Sequence, residues 1–112
     1  MAEIIAMRTL QIIDADKRVD VPIRIFTPQL VDGAWNCHVE IEWPDGVMKR
    51  YAGGIDAVQA LELAMQLIGV ELYCSEAHEG GRLVWMDKGR GYGFPVTHNL
   101  RDKLVGDDAK FF

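Results

Sequence analysis

The chain has few of the residues that mark secreted, metal-bound or membrane proteins: two cysteines and four prolines stand among 112 residues. Cys37 and Cys74 are too few for a disulfide scaffold and too far apart for a four-cysteine zinc site, so two reduced, structural thiols are expected. The apolar start of the chain carries Glu3 where a signal peptide would be basic, and Arg8 interrupts it well short of a membrane span. These absences predict a cytoplasmic protein without a membrane segment.

A block of basic charge is also missing. The 12 basic and 17 acidic residues are spread along the chain and leave a formal net charge of −5. Such a surface repels phosphate backbones at long range, which makes nucleic acid a disfavoured partner. With 49% hydrophobic and 26% charged residues, the composition is that of an ordinary globular protein, and the length suits one core. We therefore predict a single domain over residues 1–112.

Two aliphatic segments open the chain and predict a β-hairpin. Residues 4–13 and 19–26 are rich in β-branched side chains, and the polar stretch 14–18 separates them. The second segment contains Pro22, whose nitrogen cannot donate a ladder hydrogen bond, so we expect that strand at an edge of the sheet. Residues 28–34 contain a proline, an aspartate and a glycine, and we expect them to form a connecting loop.

Residues 35–43 carry the clearest strand pattern in the chain, because apolar and polar side chains alternate without a break. The turn that follows contains Pro44, Asp45 and Gly46. Proline presets the first central position of a type I turn, and glycine accepts the positive φ of a following bulge. This turn predicts that Trp43 faces Val47 across a second hairpin.

The same register places Glu40 opposite Arg50, a cross-strand ion pair worth ~0.2–1 kcal/mol. A two-residue turn made of the aspartate and the glycine would instead pair Glu42 with Lys49. The charge pattern fits both arrangements, and the proline is what favours the first.

A capped amphipathic helix is predicted after the paired glycines that end this hairpin. Asp56 occupies an N-cap position with Gln59 three residues later, a variant of the capping box. Apolar residues then recur at intervals of three and four as far as Leu72, which favours a helix that ends near Tyr73 and lies on one face of the sheet, beside the two tryptophans of the central strand. Gly69 leaves open an alternative, a helix that stops there.

The remaining residues predict a fifth strand, a glycine-rich loop and a short helix. Residues 82–86 have strand character, residues 88–95 alternate glycine with basic and aromatic side chains, and residues 97–105 fit a helix capped by Thr97 or Asn99. The predicted fold class is α+β: a mainly antiparallel sheet of about five strands, with one long helix packed on one face and a short C-terminal helix.

The central strand offers the first candidate site. His38, Glu40 and Glu42 project from one face at intervals of roughly 7 Å, close enough to collect a metal ion with help from another element or to act in acid/base chemistry. Exposed sheet faces routinely carry such residues, and Arg50 is an available partner for Glu40. A solvated sheet face is therefore the favoured interpretation.

Two further candidates follow the helix. Cys74 and His78 are four residues apart, which suggests a thiolate–imidazole pair, but the glycines at 80 and 81 favour a helix that has already ended and an inert cysteine. In the glycine-rich loop, Arg90 and Tyr92 suggest in composition a surface that stacks single-stranded nucleic acid, or a phosphate cradle. The favoured interpretation is a strand exit whose Tyr92 and Phe94 pack on the core.

Four short segments stand out when the chain is taken as a whole: Trp43-Pro44-Asp45-Gly46, Gly53-Gly54-Ile55-Asp56, Gln59-Ala60-Leu61-Glu62-Leu63-Ala64 and Tyr92-Gly93-Phe94-Pro95. With them the chain resembles a bacterial family of small proteins classed only as a domain of unknown function. Since that family brings no assigned activity, the resemblance implies no catalytic residue. Residues 39–68 also resemble HicB-type antitoxins, in which strands lead through glycine into a capped helix, and that likeness is an analogy of fold.

Two functional hypotheses follow. The first is a soluble, non-enzymatic binding or self-associating module, most simply a homodimer or a partner of another protein, with no catalytic residue, metal or cofactor. The alternative is a small-molecule or metal-dependent enzyme that uses the exposed sheet face under the glycine-rich loop, or Cys74 with His78. Six residues are the candidate binding residues: His38, Glu40, Glu42, Arg50, Arg90 and Tyr92.

Overall fold

The computed structural model describes residues 2–112; Met1, at the apolar start of the chain, lies outside the described residues. The described elements, in chain order, are β1 (Ile4–Asp14), β2 (Lys17–Phe26), β3 (Gln29–Val31), β4 (Ala34–Trp43), β5 (Gly46–Gly54), α1 (Ala57–Tyr73), α2 (Glu76–Glu79), β6 (Leu83–Val84), a 3₁₀ helix (His98–Lys103) and α3 (Asp107–Phe111). The predicted α+β class is confirmed, with a sixth strand added. No helix in this part of the chain is long and apolar enough to cross a lipid bilayer.

Every strand pair of the sheet is antiparallel. β1 and β2 form a hairpin, β2 pairs with one side of β4, β5 pairs with the other side, and β6 adds two residues to β1. β3 pairs with the start of β4, on the same side of β4 as β2. The buried apolar side chains of β2 and β4 point to one face, called here the inner face. This face is covered by α1 and by residues 80–112, called here the C-terminal segment. The opposite face is called the outer face.

β3 lies where the sequence predicts only a connecting loop. Asp32 and Gly33 both have positive φ, 51° and 83°, as the two central residues of a type I′ turn do. This turn brings residues 29–31 back beside residues 34–36 of β4. The loop prediction is wrong because an Asp-Gly pair is also a strong signal for a tight hairpin.

The prediction that β2 lies at an edge is also wrong, since β2 runs between β1 and β4 and pairs with both. Its ladder with β4 covers only residues 23–25 and stops beside Pro22. Beyond that point the two strands are no longer paired, so β4 requires no N–H from the proline.

β4 and β5 are joined by a tighter turn than predicted. Trp43 lies opposite Gly46, so Pro44 and Asp45 alone form the connection, and Gly46 begins the strand instead of forming a bulge. The pairing is therefore one residue out of the predicted register.

This shift decides which side chains share a face. Glu40 lies opposite Lys49, and Arg50 lies opposite Val39 with its side chain on the inner side. The predicted Glu40–Arg50 pair is wrong, and the alternative that placed Glu42 opposite Lys49 is wrong as well. The physical reason is the two-residue period of a strand, in which a slip of one residue turns every side chain to the other face.

α1 begins as predicted, at a capping box. Asp56 Oδ1 accepts a hydrogen bond from the Gln59 backbone N–H at 2.8 Å, and Gln59 Oε1 accepts one from the Ile55 N–H at 2.8 Å. The two indole rings of β4 are half-buried against the core, as predicted. Four fully buried side chains of α1 face the sheet: Ala60, Ala64, Ile68 and Leu72.

Gly69 lies inside α1, so the alternative in which the helix stops there is wrong and the predicted end near Tyr73 is confirmed. A Cβ at position 69 would overlap the carbonyl oxygen of Pro95 and lie 2.8 Å from its carbonyl carbon. The glycine therefore permits the backbone at Pro95 to approach α1 closely.

The C-terminal segment covers the rest of the inner face. The predicted strand 82–86 shortens to β6, and residues 97–105 contain the 3₁₀ helix instead of an α-helix. Thr97 precedes the 3₁₀ helix but makes no side-chain cap to it, and its hydroxyl hydrogen-bonds Asn99 at 2.6 Å. The short C-terminal helix is α3, ten residues later than predicted at its start.

Candidate functional site

The candidate residues of β4 lie on the open outer face. The His38 ring packs on Tyr51 of β5, with ring centroids 5.1 Å apart. Arg24 of β2 donates through Nη2 to Glu42 Oε2 at 2.7 Å, and its Nη1 lies 3.5 Å from Glu40 Oε1. Neither His38 nor the two glutamates line any of the three clefts described below. The face is flat and charge-paired, with Arg24 in the place that was predicted for Arg50.

The Arg24 guanidinium, which Glu40 and Glu42 share, also affects the metal hypothesis for the outer face. Both carboxylates that would bind the ion already face a cation. Within residues 2–112, no three His, Cys, Asp or Glu side chains lie close enough together to hold a metal ion. The geometry of the outer face therefore gives the metal-dependent alternative no support.

Arg50 belongs to the inner side of the sheet. Its Nη1 donates to Glu71 Oε1 of α1 at 2.6 Å. More than half of the Arg50 side chain is exposed, so the pair is worth at most about 1 kcal/mol. Arg50 ties the edge strand β5 to the helix and does not join the residues of the outer face.

The glycine-rich loop lies on the inner side as well. Pro95 contacts α1 at Gly69, and the loop carbonyls of Tyr92 and Gly93 accept hydrogen bonds from Arg8, whose side chain points inward. The loop therefore does not form a roof over His38, as the enzyme hypothesis required.

Arg90 is an exposed cation of this loop, and two carboxylates bind it. Nη1 donates to Asp87 Oδ2 at 3.0 Å, and Nη2 donates to Asp107 Oδ2 at 2.8 Å. These two partners raise the pKa of Arg90. The guanidinium is thus engaged in holding the loop against the start of α3.

Tyr92 and Phe94 are 4% and 3% exposed, which confirms the prediction that they pack on the core. Their rings face the protein interior and present no surface on which a base could stack. The second half of the loop, residues 91–95, therefore packs on the core.

A buried carboxylate, Asp108 of α3, holds this loop in place. Asp108 is 1% exposed, and no other charged side chain within residues 2–112 is buried. Its Oδ2 accepts hydrogen bonds from the Tyr73 hydroxyl at 2.5 Å and the Tyr92 N–H at 2.8 Å, and its Oδ1 accepts one from the Gly93 N–H at 2.8 Å. Burial, and then the bond with Asp108, raise the pKa of Tyr73, which remains a donor. One carboxylate thereby links α1, the loop and α3.

Arg8 of β1 is fixed beside this network. Its guanidinium carbon lies 3.9 Å from the Trp85 ring centroid and 4.9 Å from that of Phe94. Its Nη1 donates to the carbonyl oxygens of Tyr92 at 3.1 Å and Gly93 at 3.0 Å. The cation is therefore stacked, hydrogen-bonded and withdrawn from the sheet edge to which its backbone belongs.

His78 of α2 lies on the other side of the loop, where its Nδ1 is hydrogen-bonded to the Tyr92 hydroxyl. Both rings pack against Tyr73, with centroid distances of 4.8 and 5.1 Å. They line a cleft of about 330 Å³, called here the His78 cleft, whose other walls include Leu83, Val84, Trp85, Asp87, Lys88, Gly89, Gly91 and Val105.

Cys74 does not join His78. It is exposed and lines a separate cleft of about 430 Å³ with Trp43, Glu71 and Arg82. α1 ends one residue before Cys74, and Ser75 then caps α2, so the chain turns between the two residues. The thiolate–imidazole pair suggested by the spacing is not formed, and His78 is paired with a tyrosine instead. A third cleft, of about 320 Å³, lies between Trp85, Met86 and α3.

The His78 ring is expected to titrate below the ordinary histidine value. Burial lowers its pKa from 6.5, and the charge of Glu79 opposes this only in part. Since the unfolded chain binds the proton more tightly, the contribution of His78 to stability is complete above pH 6.5 and is lost as pH falls toward the folded pKa. An NMR titration of the ring should give a midpoint below 6.5, and His78→Gln should flatten this part of the stability profile. A midpoint above 6.5 would contradict the burial of the ring.

Sequence reasoning missed the groups at the centre of this arrangement: Arg8, Tyr73, Asp108, and the pairing of His78 with Tyr92. In the sequence Asp108 stands beside Asp107 and nothing distinguishes the two, although one is buried and the other forms a surface ion pair. Gly106, with a φ of 59°, is the one local sign that the chain reverses before α3.

Comparisons with known proteins add a family and no function. No curated protein and no solved structure matches the chain. A family model described as "Domain of unknown function (DUF6968)" matches residues 6–96, which include the sheet from Ala6 onward, α1 and the whole glycine-rich loop but not α3. The chain therefore belongs to the DUF6968 family, a family of uncharacterised proteins.

Proposed function

We propose that this protein is a non-enzymatic, self-associating module in which two copies join along the free edge of β1. One observation carries the proposal: of the two long free edges of the sheet, one is apolar and the other is charged. Unpaired edge strands are templates for another strand unless charges, prolines or bulges protect them.

β1 offers the apolar edge over its first half. On one side it pairs with β2 along its whole length, but on the other side β6 reaches only Gln11 and Ile12. Residues 4–9 therefore have no strand beside them on that side. In this stretch the side chains of Ile4, Ile5 and Met7 are exposed to 47%, 50% and 57%. Covering these side chains would remove apolar surface from water.

β5 forms the other long edge and carries the usual protection. Lys49 and Arg50 stand at its centre, and glycines occupy both ends of the strand. A second copy paired here in antiparallel register would bring lysine and arginine side chains close to one another, which is unfavourable. Self-association through β5 is therefore disfavoured.

Residues 5–9 of β1 suit pairing with their own copy. An antiparallel ladder centred on Met7 would set Ile5 opposite Thr9 and Ala6 opposite Arg8 of a second copy. Arg8 is the one charge in this segment, and its guanidinium is held on the inner side by an indole ring and two carbonyl groups. A bulge at Ile5 limits the ladder, so the dimer is expected to be reversible.

The proposal keeps the expectation of a bacterial, cytoplasmic protein that does not bind nucleic acid. Its support is the net charge of −5 and the two free thiols, Cys37 and Cys74, which suit a reducing compartment. A second copy of the chain is the proposed partner.

Replacing Met7 with lysine is expected to abolish the dimer, because the two-fold axis would place two lysines face to face. Light scattering after size exclusion should show a mass that rises with concentration for the unchanged protein and a constant monomer mass for Met7→Lys. Val47→Lys, on the β5 edge, is the matched control and should dimerise like the unchanged protein.

A charge swap makes the test specific for the edge. Met7→Glu should also be monomeric, whereas a mixture of Met7→Lys and Met7→Glu should form a heterodimer, because the opposed charges then attract. The proposal would be contradicted if the unchanged protein were a strict monomer at high concentration, or if Met7→Lys and Val47→Lys changed the measured molar mass equally.

A further inference from the structure

The three clefts differ in whether their polar groups are already occupied. The cleft beside Cys74 has Asp45, Glu71 and Glu76 around it, so acidic groups dominate it. The cleft beside α3 contains Arg90, which two carboxylates already bind. The His78 cleft alone among the three combines apolar walls with a donor and a cation that have no other partner.

The donor is Nε2 of His78. Tyr92 is 4% exposed, and throughout residues 2–112 its hydroxyl has one hydrogen-bond partner, His78 Nδ1. A buried hydroxyl places its hydrogen on an available acceptor, so Tyr92 donates and Nδ1 accepts. Burial raises the pKa of Tyr92, which keeps that hydrogen in place. In the neutral ring the proton is then on Nε2, and no residue of the described chain accepts it.

The cation is Lys88, at the glycine-rich side of the cleft. Its side chain is exposed and forms no ion pair with any residue from 2 to 112, unlike Arg90 two positions later. Gly89 and Gly91 line the cleft on the same side. A negative charge at the mouth of the cleft would therefore meet an unpaired ammonium group.

The other side chains of the walls are apolar except for Asp87, whose carboxylate is paired with Arg90. Leu83, Val84 and Val105 provide aliphatic surface, and Trp85 provides an aromatic edge. Leu83 and Val84 are only 4% and 7% exposed, so the cleft floor is well packed. A volume of about 330 Å³ with mostly apolar walls and few polar groups is typical of a small-molecule site.

We propose that the His78 cleft binds a small monocarboxylate with an apolar body, whose carboxylate accepts a hydrogen bond from His78 Nε2–H and faces Lys88. The apolar body would lie on Leu83, Val84 and Val105. This site is separate from the β1 edge, and its occupancy does not depend on self-association.

Benzoate is the probe, with benzylammonium as the control of similar shape and opposite charge. In a long-range ¹H–¹⁵N spectrum of the unchanged protein, the His78 ring should show Nδ1 as acceptor and Nε2 as the protonated nitrogen. Adding benzoate should shift the Nε2 signal in a saturable way, and benzylammonium should leave it in place.

Two lysine variants test the charge. Lys88→Gln should weaken benzoate binding about fivefold, the effect of losing one solvent-exposed ion pair. Lys17→Gln, at the start of β2, should bind benzoate like the unchanged protein. Both lysines are exposed, so neither variant endangers folding. The proposal is overturned if benzoate causes no saturable shift, if benzylammonium shifts the signal equally, or if the two variants bind benzoate alike.

Discussion

Asp108→Ala is expected to be the most damaging single substitution in this protein, with a loss of roughly 3–5 kcal/mol in the free energy of unfolding. The change removes the acceptor of three hydrogen bonds at once, from the Tyr73 hydroxyl and from the backbone N–H groups of Tyr92 and Gly93. All three donors lie in or beside the core, where an unpaired donor costs far more than it does in water. A domain of this size has about 5–15 kcal/mol to lose, so the effect is a large share of the total.

The neighbouring aspartate supplies the control. Asp107→Ala removes a surface ion pair with Arg90, which solvent already screens, so the change in unfolding free energy should be much smaller. Urea unfolding followed by tryptophan fluorescence measures both variants. Equal losses for the two positions would contradict the assignment of Asp108 as the group that holds the C-terminal segment.

An isosteric variant separates hydrogen bonding from packing. Asp108→Asn keeps the shape and one acceptor oxygen but turns an NH₂ group toward one of the three donors. We expect a loss smaller than that of alanine and larger than that of Asp107→Asn. A neutral result for Asp108→Asn would mean that shape, and not the charge and its hydrogen bonds, is what the site requires.

Gly69→Ala is expected to destabilise the protein by about 2 kcal/mol or more, although alanine is the better helix former by about 1 kcal/mol. The added methyl group would overlap the backbone carbonyl oxygen of Pro95, and no side-chain rotation can separate the two. The helix and the C-terminal segment would have to separate. Unfolding in urea gives the magnitude, and an NMR map should place the largest shifts near residues 94–97.

Glu62→Ala is the control for this substitution, because Glu62 is an exposed residue of the same helix. It carries the intrinsic preference for alanine without the overlap, so its stability should change by less than about 0.5 kcal/mol. If Gly69→Ala proves as stable as the unchanged protein, the close approach of Pro95 to α1 does not require a glycine at position 69.

The parts of the fold that were correctly predicted are those in which cause and effect lie within a few residues. The capping box at Asp56 and Gln59 joins groups three and four positions apart. Alternation along β4 identifies its buried face, and the apolar spacing of α1 predicts its length and its contact with the sheet. Each of these follows from the period of a helix or a strand.

The predicted register of the β4–β5 hairpin was wrong. The Trp-Pro-Asp-Gly turn is compatible with hairpins that differ by one residue, and the structure adopts a register, with Trp43 opposite Gly46, that neither predicted arrangement gives. That one residue moved Arg50 from the outer face to a bond with Glu71 and left Arg24 as the partner of Glu40. The candidate site on the outer face was thereby altered by a choice made at the turn.

The arrangement around Asp108 lay beyond sequence reasoning altogether. Its partners are 35 and 16 residues away, and Arg8 contacts a carbonyl 84 residues further along the chain. No local period connects such groups. Only the path of the backbone after α1 brings them together, and that path is set by where the core still needs to be covered.

By itself, then, the order of the amino acids determined the α+β class, the hairpins and the capped helix on its sheet, because each depends on propensities and periods expressed over a few neighbouring residues. The tertiary structure decided which groups meet: Asp108 with the glycine-rich loop, Tyr92 with His78, and Arg8 with the Trp85 ring. Those contacts join distant positions, and chain geometry decides them because many pairings satisfy the same local rules, while the one adopted fills the core and leaves no buried side-chain nitrogen or oxygen of residues 2–112 unpaired.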